Sequence, residues 1–443
     1  MMIDAHCHFF TRSVITDSLT RLENTITRLD KIAERRNSGE RKEMKLESLG
    51  SNTIKFLNTA VENTPLEMYN IMKDSYDCEF IAVPLMLDLS YTFLAPKNEV
   101  YENRKSFANT IKDISEKSRD KIKSKKWQRF TESFEETMGK FDRSVIGIDV
   151  FTESYEDQIT DFIQLKKQLP DKVFPFFSID PRRDETIDGG ILSEIKRYVG
   201  KDKPFLGFKL YTSLGYSPTH PALFDNDGKE SVYGYCEANN IPITIHSSLE
   251  GFSHMLDENY VEGDIYYPDA GFPVPAEDLY ENGFIKYQKK FSSLYFSELT
   301  SERLLMLNHP ILWKRVLERY PNLKLNMAHF GGIIQMSKYV KGNQTGFWPK
   351  IIIELMETYP NVFADLSCYY NKDKNPDYMK EFYENVYLKL PQVVKDKVMY
   401  GSDYFMITLF DTKLSSYIET FREAFGKDFK LISEVNPRKF LGI

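Results

Sequence analysis

Apolar strands that alternate with amphipathic helices are the feature that most constrains the fold of this chain. From about residue 173 onwards, apolar runs of strand length recur with helical segments between them, as at Phe205–Leu210, Ile241–His246 and Leu323–His329. The sequence Tyr-Pro-Asn occurs at both 320–322 and 359–361, and each copy is predicted to end a helix and open a strand. This alternation predicts a parallel sheet with right-handed crossovers.

Eight such strands are predicted, around residues 3, 80, 174, 206, 242, 324, 362 and 398. Eight βα units are what closes a (β/α)8 barrel, the TIM barrel. An open doubly wound α/β sheet is the alternative, but no Gly-x-Gly-x-x-Gly follows the first strand. We therefore predict one α/β barrel domain over residues 1–443, with large helical or loop insertions at about 10–77, 95–144 and 247–310, after strands one, two and five.

The third insertion, 247–310, is rich in phenylalanine and tyrosine. Loops of this length in a compact domain are usually functional lids or small subdomains, so an aromatic lid over the site is one interpretation. An added helical layer or a dimer contact is the other, and the sequence leaves both open. His254 and His309 lie in this insertion, and a structural role is the favoured interpretation for both.

Composition excludes several classes of protein. The formal net charge of −7 argues against general binding to nucleic acid or to anionic membranes. The basic residues between 117 and 129 are interleaved with acidic ones, which is typical of a solvated helix face. The sequence has no leader pattern, no long apolar run and no Cys-x-x-Cys pair among its four cysteines. We expect a cytoplasmic protein that acts on a small molecule, with a homodimer as the default assembly.

Polar side chains stand at the carboxyl ends of the predicted strands. Side chains alternate with period two along the first strand, Ile3–His8, so Asp4, His6 and His8 are predicted to share one face. Four more polar residues close later strands: Lys209, His246, His329 and Asp403. Each alone fits a structural role, such as a core histidine, a helix cap or a lysine reaching solvent. In a barrel, however, all these strand ends meet at one rim, which predicts a shared site.

The residue types at this rim indicate metal chemistry. Several imidazoles with a carboxylate suit Zn²⁺, with Mn²⁺, Fe²⁺ and Co²⁺ as alternatives. Such an ion lowers the pKa of a bound water towards roughly 7 and polarises a carbonyl group. Asp403 is then the candidate base for that water, and His329 a ligand or a stabiliser of charge on the carbonyl oxygen. Asp4 has two interpretations: it orients a ligating histidine, or it is a structural carboxylate bonded to backbone amides.

Two arginines follow the third strand. Arg182 and Arg183 are candidates to bind a substrate carboxylate in bidentate fashion. Pairing with acidic residues of the protein is the alternative, and the sequence does not choose between them.

The motifs together resemble the amidohydrolase superfamily, and most nearly its second large family, which includes aminocarboxymuconate-semialdehyde-type and resorcylate-type decarboxylases. They are Asp4-Ala5-His6-Cys7-His8, Gly207-Phe208-Lys209, Ile245-His246, Ala328-His329-Phe330-Gly331-Gly332 and Gly401-Ser402-Asp403. The resemblance implies metal ligands at His6, His8, His246 and Asp403. It also implies that His329 is a ligand or catalytic partner.

The resemblance bears on Lys209 as well. Some superfamily members carry a carbamylated lysine that bridges two metals at the end of strand four, where Lys209 lies. In the single-metal branch this lysine is not a bridge. We therefore expect one divalent ion, leave a second in doubt, and place Lys209 among the substrate-binding residues.

Three functions remain open on the sequence. The first is a metal-dependent hydrolase of an amide, lactone or related bond. The second is non-oxidative decarboxylation of an aromatic or unsaturated carboxylic acid at the same site. The third is a catalytically silent barrel used as a binding protein.

Overall fold

The computed structural model describes residues 1–9, 63–89, 149–225, 230–251, 253, 265–266, 280–281, 284–285, 304–342, 347–369, 377–410 and 412–443. The predicted insertion at 95–144 and its basic residues between 117 and 129 lie outside these ranges. So do His254 and the aromatic side chains of the third insertion, and its interpretation as a lid stays a prediction.

The strands, numbered in chain order, are β1 Met2–Cys7, β2 Phe80–Pro84, β3 Phe176–Ser178, β4 Gly207–Leu210, β5 Ile243–His246, β6 Ile265–Tyr266, β7 Tyr280–Glu281, β8 Phe284–Ile285, β9 Leu325–Ala328, β10 Val362–Asp365 and β11 Val398–Met399. All eight predicted strands are present, although most are shorter than predicted. Strands β6, β7 and β8 form a small antiparallel sheet within the third insertion. The sequence did not predict this sheet.

The α-helices are α1 Pro65–Tyr76, α2 Asp149–Gln168, α3 Gly190–Tyr198, α4 Pro221–Phe224, α5 Val232–Ala238, α6 Trp313–Arg319, α7 Gly332–Val340, α8 Phe347–Thr358, α9 Tyr378–Asn385, α10 Gln392–Lys395, α11 Leu414–Phe425 and α12 Asn436–Leu441. Helix α1 begins with a capping box, in which Thr64 and Glu67 satisfy each other's backbone amides. As predicted, the two Tyr-Pro-Asn joints connect α6 to β9 and α8 to β10.

The fold is α/β, with eight parallel strands in ring order. Six of them form one continuous sheet in the order β11-β10-β9-β5-β4-β3, and β1 and β2 form a second parallel pair. Isolated bridges join β2 to the β3 segment at Ala82–Val173 and Leu85–Phe176, and a bridge between Cys7 and Tyr404 joins β1 to the segment after β11. The predicted α/β fold with eight strands is confirmed. Its strands are not paired as one closed sheet, because the ladder is interrupted on both sides of the β1–β2 pair.

The strands pack apolar side chains on both faces. The smaller cluster fills the inside of the ring and includes Ile3, Ala5 and Val83. Phe440 of α12 packs against Phe176 and Phe363 at tilted angles, with ring centroids 6.2 and 5.2 Å apart, at the amino-terminal end of the ring. The larger cluster lies between the strands and the surrounding helices. The polar residues lie at the opposite end of the ring, at the carboxyl ends of the strands.

A β-bulge in the first strand decides which side chains face the site. The register of β1 against β2 shifts between Asp4 and Cys7. Such a shift breaks the strict alternation of side chains along a strand. Asp4 contacts Tyr76 of α1, outside the ring, whereas His6 turns towards the rim. The prediction that Asp4, His6 and His8 share one face is therefore wrong for Asp4.

Candidate metal centre

Five polar residues predicted from strand ends meet at the carboxyl-terminal rim. His6 lies in β1, His8 just beyond it, His246 ends β5, His329 follows β9, and Asp403 follows β11. All five side chains are buried. The polypeptide separates them by up to 397 positions, yet contacts of 3.1 to 3.4 Å link them within two groups.

Three ligand atoms in this cluster form a nearly equilateral triangle. The Nε2 atoms of His6 and His8 are 3.2 Å apart, and Oδ1 of Asp403 lies 3.4 Å from each of them. In a tetrahedral Zn²⁺ site with bonds of about 2.0–2.1 Å, neighbouring ligand atoms stand about 3.3–3.4 Å apart. The triangle therefore has the dimensions of one face of such a site.

The partners on the far sides of these rings place the protons away from the triangle. His8 Nδ1 lies 2.9 Å from the carbonyl oxygen of Leu85, which can only accept, so this nitrogen carries the proton and donates it. His6 Nδ1 lies 3.1 Å from the carboxylate of Asp365, and the same reasoning puts its proton there. Both Nε2 atoms consequently present lone pairs to each other and to Asp403. A cation between the three acceptors, either a proton or a metal ion, would relieve their mutual repulsion.

A second pair of imidazoles repeats this arrangement. His246 Nε2 donates to the carbonyl oxygen of Glu250 at 2.6 Å, and His329 Nδ1 donates to the carbonyl oxygen of Ser367 at 3.2 Å. His246 Nδ1 and His329 Nε2 then face each other with lone pairs at 3.1 Å. The rings of His329 and His6 are also adjacent, with centroids 4.8 Å apart. The cleft thus collects lone pairs from four imidazoles.

The ring of His246 is fixed from several directions. Tyr211 stacks on it with the centroids 4.3 Å apart and the planes 14° from parallel. Gly251 has φ of +120°, and a Cβ there would lie 2.1 Å from the Tyr211 hydroxyl oxygen and 2.7 Å from His246 Nε2. Only glycine fits this position, because both the backbone conformation and the close approach exclude a side chain.

Asp365 is a member of the site that the sequence analysis missed. It ends β10, is fully buried, and accepts hydrogen bonds from His6 Nδ1, from Asn326 Nδ2 at 2.7 Å and from the backbone amide of His329 at 3.1 Å. A polar residue at the end of an apolar strand was the signal that identified its neighbours. The same signal was present in Val362–Asp365 and was not used.

Asp4 does not orient a ligating imidazole. Its carboxylate accepts from the backbone amides of Ser402 at 2.9 Å and His6 at 3.2 Å, and from the hydroxyls of Ser402 and Tyr76, both at 2.5 Å. This is the structural alternative for Asp4: it joins β1, α1 and the loop after β11. The carboxylate that contacts Nδ1 of the His6 ring is that of Asp365.

Arg182 and Arg183 both pair with internal carboxylates. Arg182 makes a bidentate contact with Asp180 at 2.8 and 2.6 Å, and Arg183 makes one with Asp88 at 2.7 and 3.0 Å. Arg183 also stacks on Tyr155, with its guanidinium carbon 4.1 Å from the ring centroid. Because these forks are occupied, a bidentate grip on a substrate would require breaking a buried ion pair. We leave both arginines out of the proposed substrate site.

Lys209 is the penultimate residue of β4, at the predicted carboxyl end of this strand, and is completely buried. Its Nζ has no hydrogen-bond partner within the described part of the chain and lies 5.5 Å from the centroid of the Tyr211 ring. Burial lowers the pKa of Lys209 to about 8, against the opposing effect of the charges on Asp365 and Asp403. The ammonium group is thus a largely charged donor without a hydrogen-bond acceptor among the described residues.

Burial also sets the ionisation of the other groups. It lowers the pKa of His8 and His246 well below the ordinary value and lowers that of His329 to about 3, so these imidazoles are neutral at pH 7. Burial raises the pKa of the Asp403 carboxyl to about 6. At Asp365 the effect of burial is outweighed by His6, His329 and Ser367, which hold its pKa well below the usual range.

The backbone at the rim adopts conformations that most residues avoid. His329, Phe330 and Asp403 have φ of 65°, 43° and 55°. Strain of this kind persists only where the surroundings impose it, and it concentrates at functional sites. At Gly401 an added Cβ would lie 2.7 Å from the Cβ of His6, so glycine is required for β1 to approach this closely.

The donor set fits a divalent metal ion. Among the described residues, two groups have ligand atoms within 4.8 Å of one another: His6, His8 and Asp403, and His6, His329 and Asp365. His246, a predicted ligand, belongs to neither group, although its Nδ1 faces His329. Neutral imidazoles with an ionisable carboxylate suit Zn²⁺.

The described residues include no helix long and apolar enough to cross a bilayer.

The family model for amidohydrolases matches residues 3–443 of this chain. Comparison with curated proteins gives no significant match.

Similar solved structures include an amidohydrolase II with 13% identity, covering 100% of both chains at a TM-score of 0.42. A 4-oxalomesaconate hydratase from Rhodopseudomonas palustris has 13% identity and covers 100% of this chain and 96% of its own, with a TM-score of 0.41. A 2,6-dihydroxybenzoate decarboxylase from Rhizobium has 11% identity, coverages of 84% and 86%, and a TM-score of 0.34.

Proposed function

Because this chain belongs to the amidohydrolase family, we propose that it is a metal-dependent hydrolase of an amide, lactone or related bond in a small molecule. His6, His8, His246 and Asp403 would hold one divalent ion, with Zn²⁺ favoured. The observation that carries the proposal is the triangle of His6 Nε2, His8 Nε2 and Asp403 Oδ1, whose edges are 3.2, 3.4 and 3.4 Å. All three atoms are acceptors, and both imidazole protons are held on the far sides of the rings.

When bound, the ion supplies a water of lowered pKa and polarises the substrate carbonyl. Asp403 is the proton carrier: with one oxygen facing the histidines and a pKa raised to about 6 by burial, it can accept a proton and return it near neutral pH. His329 offers Nε2 without a proton, since its Nδ1 donates to Ser367. This favours a role as ligand or proton acceptor over stabilisation of charge on an oxygen.

Decarboxylation of an aromatic or unsaturated acid is the second candidate, and Lys209 favours it. A buried ammonium group without a hydrogen-bond partner among the described residues is suited to an anionic substrate group. The charge of Lys209 contributes to the lowered pKa values of His8, His246 and His329, so the lysine belongs to the same electrostatic environment as these imidazoles. A hydrolase for a substrate that carries a carboxylate also uses this lysine, so the reaction itself must be measured.

The deciding experiment compares two substrate panels with the full chain loaded with Zn²⁺. One panel contains lactones and amides, with and without a carboxylate, and the other contains hydroxybenzoates and unsaturated carboxylic acids. We expect acid release from members of the first panel, incorporation of ¹⁸O from labelled water, and loss of both in Asp403→Asn. CO₂ release without ¹⁸O incorporation would establish the decarboxylase instead.

A silent barrel that serves as a binding protein is the third function considered. Protein that takes up no metal and that loses nothing measurable in Asp403→Asn would support it. The four cysteines are all free thiols, which fits the proposed cytoplasmic location. The homodimer stays a prediction.

A further inference from the structure

A carboxylate and a hydroxyl group lie between the rings of His6 and His329. Asp365 Oδ2 is 3.1 Å from His6 Nδ1. Ser367 Oγ is 3.0 Å from the same nitrogen and 2.9 Å from His329 Nδ1, and its hydroxyl also donates to Asp365 Oδ1. Asp365 and Ser367 are both fully buried. Two residues at the end of β10 therefore contact the far sides of two imidazoles that come from β1 and from the end of β9.

Hydrogen-bond valence fixes the protons in this cluster. An ionised carboxylate only accepts, so the single hydroxyl proton of Ser367 is used on Asp365. The Ser367 oxygen can then only accept, and what it accepts from His329 is the proton on Nδ1. The carbonyl oxygen of Ser367, 3.2 Å from the same nitrogen, requires the same assignment. His6 Nδ1 faces two acceptors in the same way.

We propose that Asp365 and Ser367 are positioning residues that hold the protons of His6 and His329 on Nδ1, so that both Nε2 atoms enter the cleft as lone-pair donors. What those donors then bind rests on the proposed function, but the assignment of the protons does not. The sequence signal is a carboxylate and a serine two residues apart at the end of the seventh strand of the ring.

The alternative for this cluster is a second metal site formed by His6, His329 and Asp365. The spacing of their ligand atoms allows it, but the valence of Asp365 opposes it. Its two oxygens already accept from Asn326 Nδ2, from the backbone amides of His329 and Ser367, and from the Ser367 hydroxyl. Each carboxylate oxygen offers about two lone-pair directions: Oδ2 uses them on Asn326 Nδ2 and His6 Nδ1, and Oδ1 faces the two backbone amides and the Ser367 hydroxyl. Asp365 therefore supports a ligand and has no capacity left for an ion.

The two positions predict different consequences. In Asp365→Asn the amide oxygen stays on the backbone amides of His329 and Ser367, which places the amide NH₂ against His6 Nδ1. This NH₂ group opposes a proton on His6 Nδ1 and leaves Ser367 Oγ, at 3.0 Å, as its remaining acceptor, so we expect His6 to shift towards the Nε2–H form, the wrong tautomer for a ligand. Loss of an outer partner of a ligating histidine typically weakens metal binding by about 10–100-fold. Ser367→Ala keeps Asp365 on His6 and removes one of the two acceptors of His329.

The test is ¹⁵N NMR of full-length protein labelled at histidine and stripped of metal, in which protonated and unprotonated ring nitrogens are distinguished. The chain has seven histidines, so single substitutions suffice to assign the spectrum. We expect the Nδ1–H tautomer for His6 and His329 in the wild type, and a shift of the His6 proton towards Nε2 in Asp365→Asn. In Ser367→Ala we expect His6 unchanged and His329 still mainly in the Nδ1–H form, with a larger Nε2–H fraction than in the wild type, because only the backbone carbonyl of residue 367 remains as its acceptor.

Controls separate this inference from the proposed function. Asp184→Asn removes the charge of another carboxylate, one that accepts from the backbone amide of Ile191, and it should leave both tautomers unchanged. The affinity for Zn²⁺, measured by competition with a chelator, should fall in Asp365→Asn and stay close to wild type in Ser367→Ala. Wild-type protein with either proton on Nε2, or an Asp365→Asn protein with His6 unchanged, would overturn the proposal. Expected tautomers in a protein that binds none of Zn²⁺, Mn²⁺, Fe²⁺ and Co²⁺ would support it and refute the proposed function.

Discussion

The Nε2 atoms of His6 and His8 lie 3.2 Å apart although the far nitrogen of each ring is committed to an acceptor. Asp365 holds the proton of one ring and the carbonyl group of Leu85 holds that of the other. Two lone pairs at this distance repel each other unless a cation lies between them. The two facing lone pairs therefore favour a bound cation, and the metal content of the protein is the first property to measure.

Removal of His8 should abolish metal binding. We expect wild-type protein to take up about one Zn²⁺ per chain, and His8→Ala to lose affinity by more than the roughly 10–100-fold that an outer partner contributes. The matched control is His220→Asn, because the His220 side chain caps α4 through the amide of Ala222 and asparagine also caps helices. Metal analysis after dialysis checks both variants. Equal metal content in His8→Ala and His220→Asn would contradict the site.

Tyr76 should stabilise the fold through Asp4 without taking part in metal binding. Its hydroxyl donates to Asp4 at 2.5 Å in a fully buried position. Tyr76→Phe leaves one acceptor of that carboxylate unsatisfied, and we expect the free energy of unfolding to fall by about 1–3 kcal/mol. Urea denaturation measures this, and the metal content should stay at one ion per chain.

Tyr69 on the same helix provides the comparison for Tyr76. Its hydroxyl makes a longer bond of 3.3 Å to the carbonyl oxygen of Phe80. We expect Tyr69→Phe to cost less than about 1 kcal/mol, because a weak neutral hydrogen bond contributes little. An equal loss of unfolding free energy in the two variants would mean that the hydrogen bond to Asp4 stabilises the fold no more than the bond to Phe80.

Arg183 should matter for stability and not for substrate affinity. Its guanidinium forms a buried bidentate pair with Asp88. Removing one partner of such a pair costs about 3–5 kcal/mol because the other charge stays buried, so Arg183→Met should lower the free energy of unfolding by this amount. Arg183→Met combined with Asp88→Asn should recover part of the loss.

The control for Arg183 is Arg197, whose exposed side chain lies 3.6 Å from Glu194. Arg197→Met should change stability by less than about 0.5 kcal/mol, since exposed ion pairs contribute little. Once a substrate is known, its KM tests the alternative in which Arg183 binds the substrate. An Arg183→Met protein of wild-type stability with a raised KM would restore the interpretation of this arginine as a substrate ligand.

The sequence predicted those parts of the site that depend on where strands end. His6, His8, Lys209, His246, His329 and Asp403 each stand at or just beyond the carboxyl end of an apolar run, and in an α/β ring those ends converge. Which residues support them was not predictable in this way. The bulge that separates Asp4 from His6 depends on the register of β1 against β2, and local alternation carries no information about it.

Long-range pairings were equally beyond a single sequence. Arg183 and Asp88 are 95 positions apart, and nothing local distinguishes an arginine that meets an internal carboxylate from one that meets a substrate. The tautomers depend on the backbone carbonyl groups of Leu85 and Glu250, which every residue possesses. Such assignments follow from coordinates alone, because the acceptors have no signature in the residue types.

A comparison of two buried lysines measures how much stability the protein loses by burying an ammonium group in the site. Lys209 and Lys397 are both buried, and burial lowers the pKa of each to about 8. They differ in their partners: Lys397 Nζ donates to the carbonyl oxygens of Met356 at 2.5 Å and Tyr359 at 2.9 Å, whereas Lys209 Nζ has no hydrogen-bond partner in the described part of the chain. Burying a charge without partners destabilises a protein, and such groups are kept where function needs them.

We therefore expect opposite effects of one substitution at the two positions. Lys209→Met should raise the free energy of unfolding of the metal-free protein by about 1–2 kcal/mol, within the range seen when a strained active-site group is removed, and should lower turnover of an anionic substrate at least about tenfold. Lys397→Met should lower the free energy of unfolding by about 1–3 kcal/mol, because two buried carbonyl groups lose their donor. Urea denaturation of the two variants side by side makes the comparison. A loss of stability in Lys209→Met as large as that in Lys397→Met would show that Lys209 supports the fold and is not held ready for a substrate.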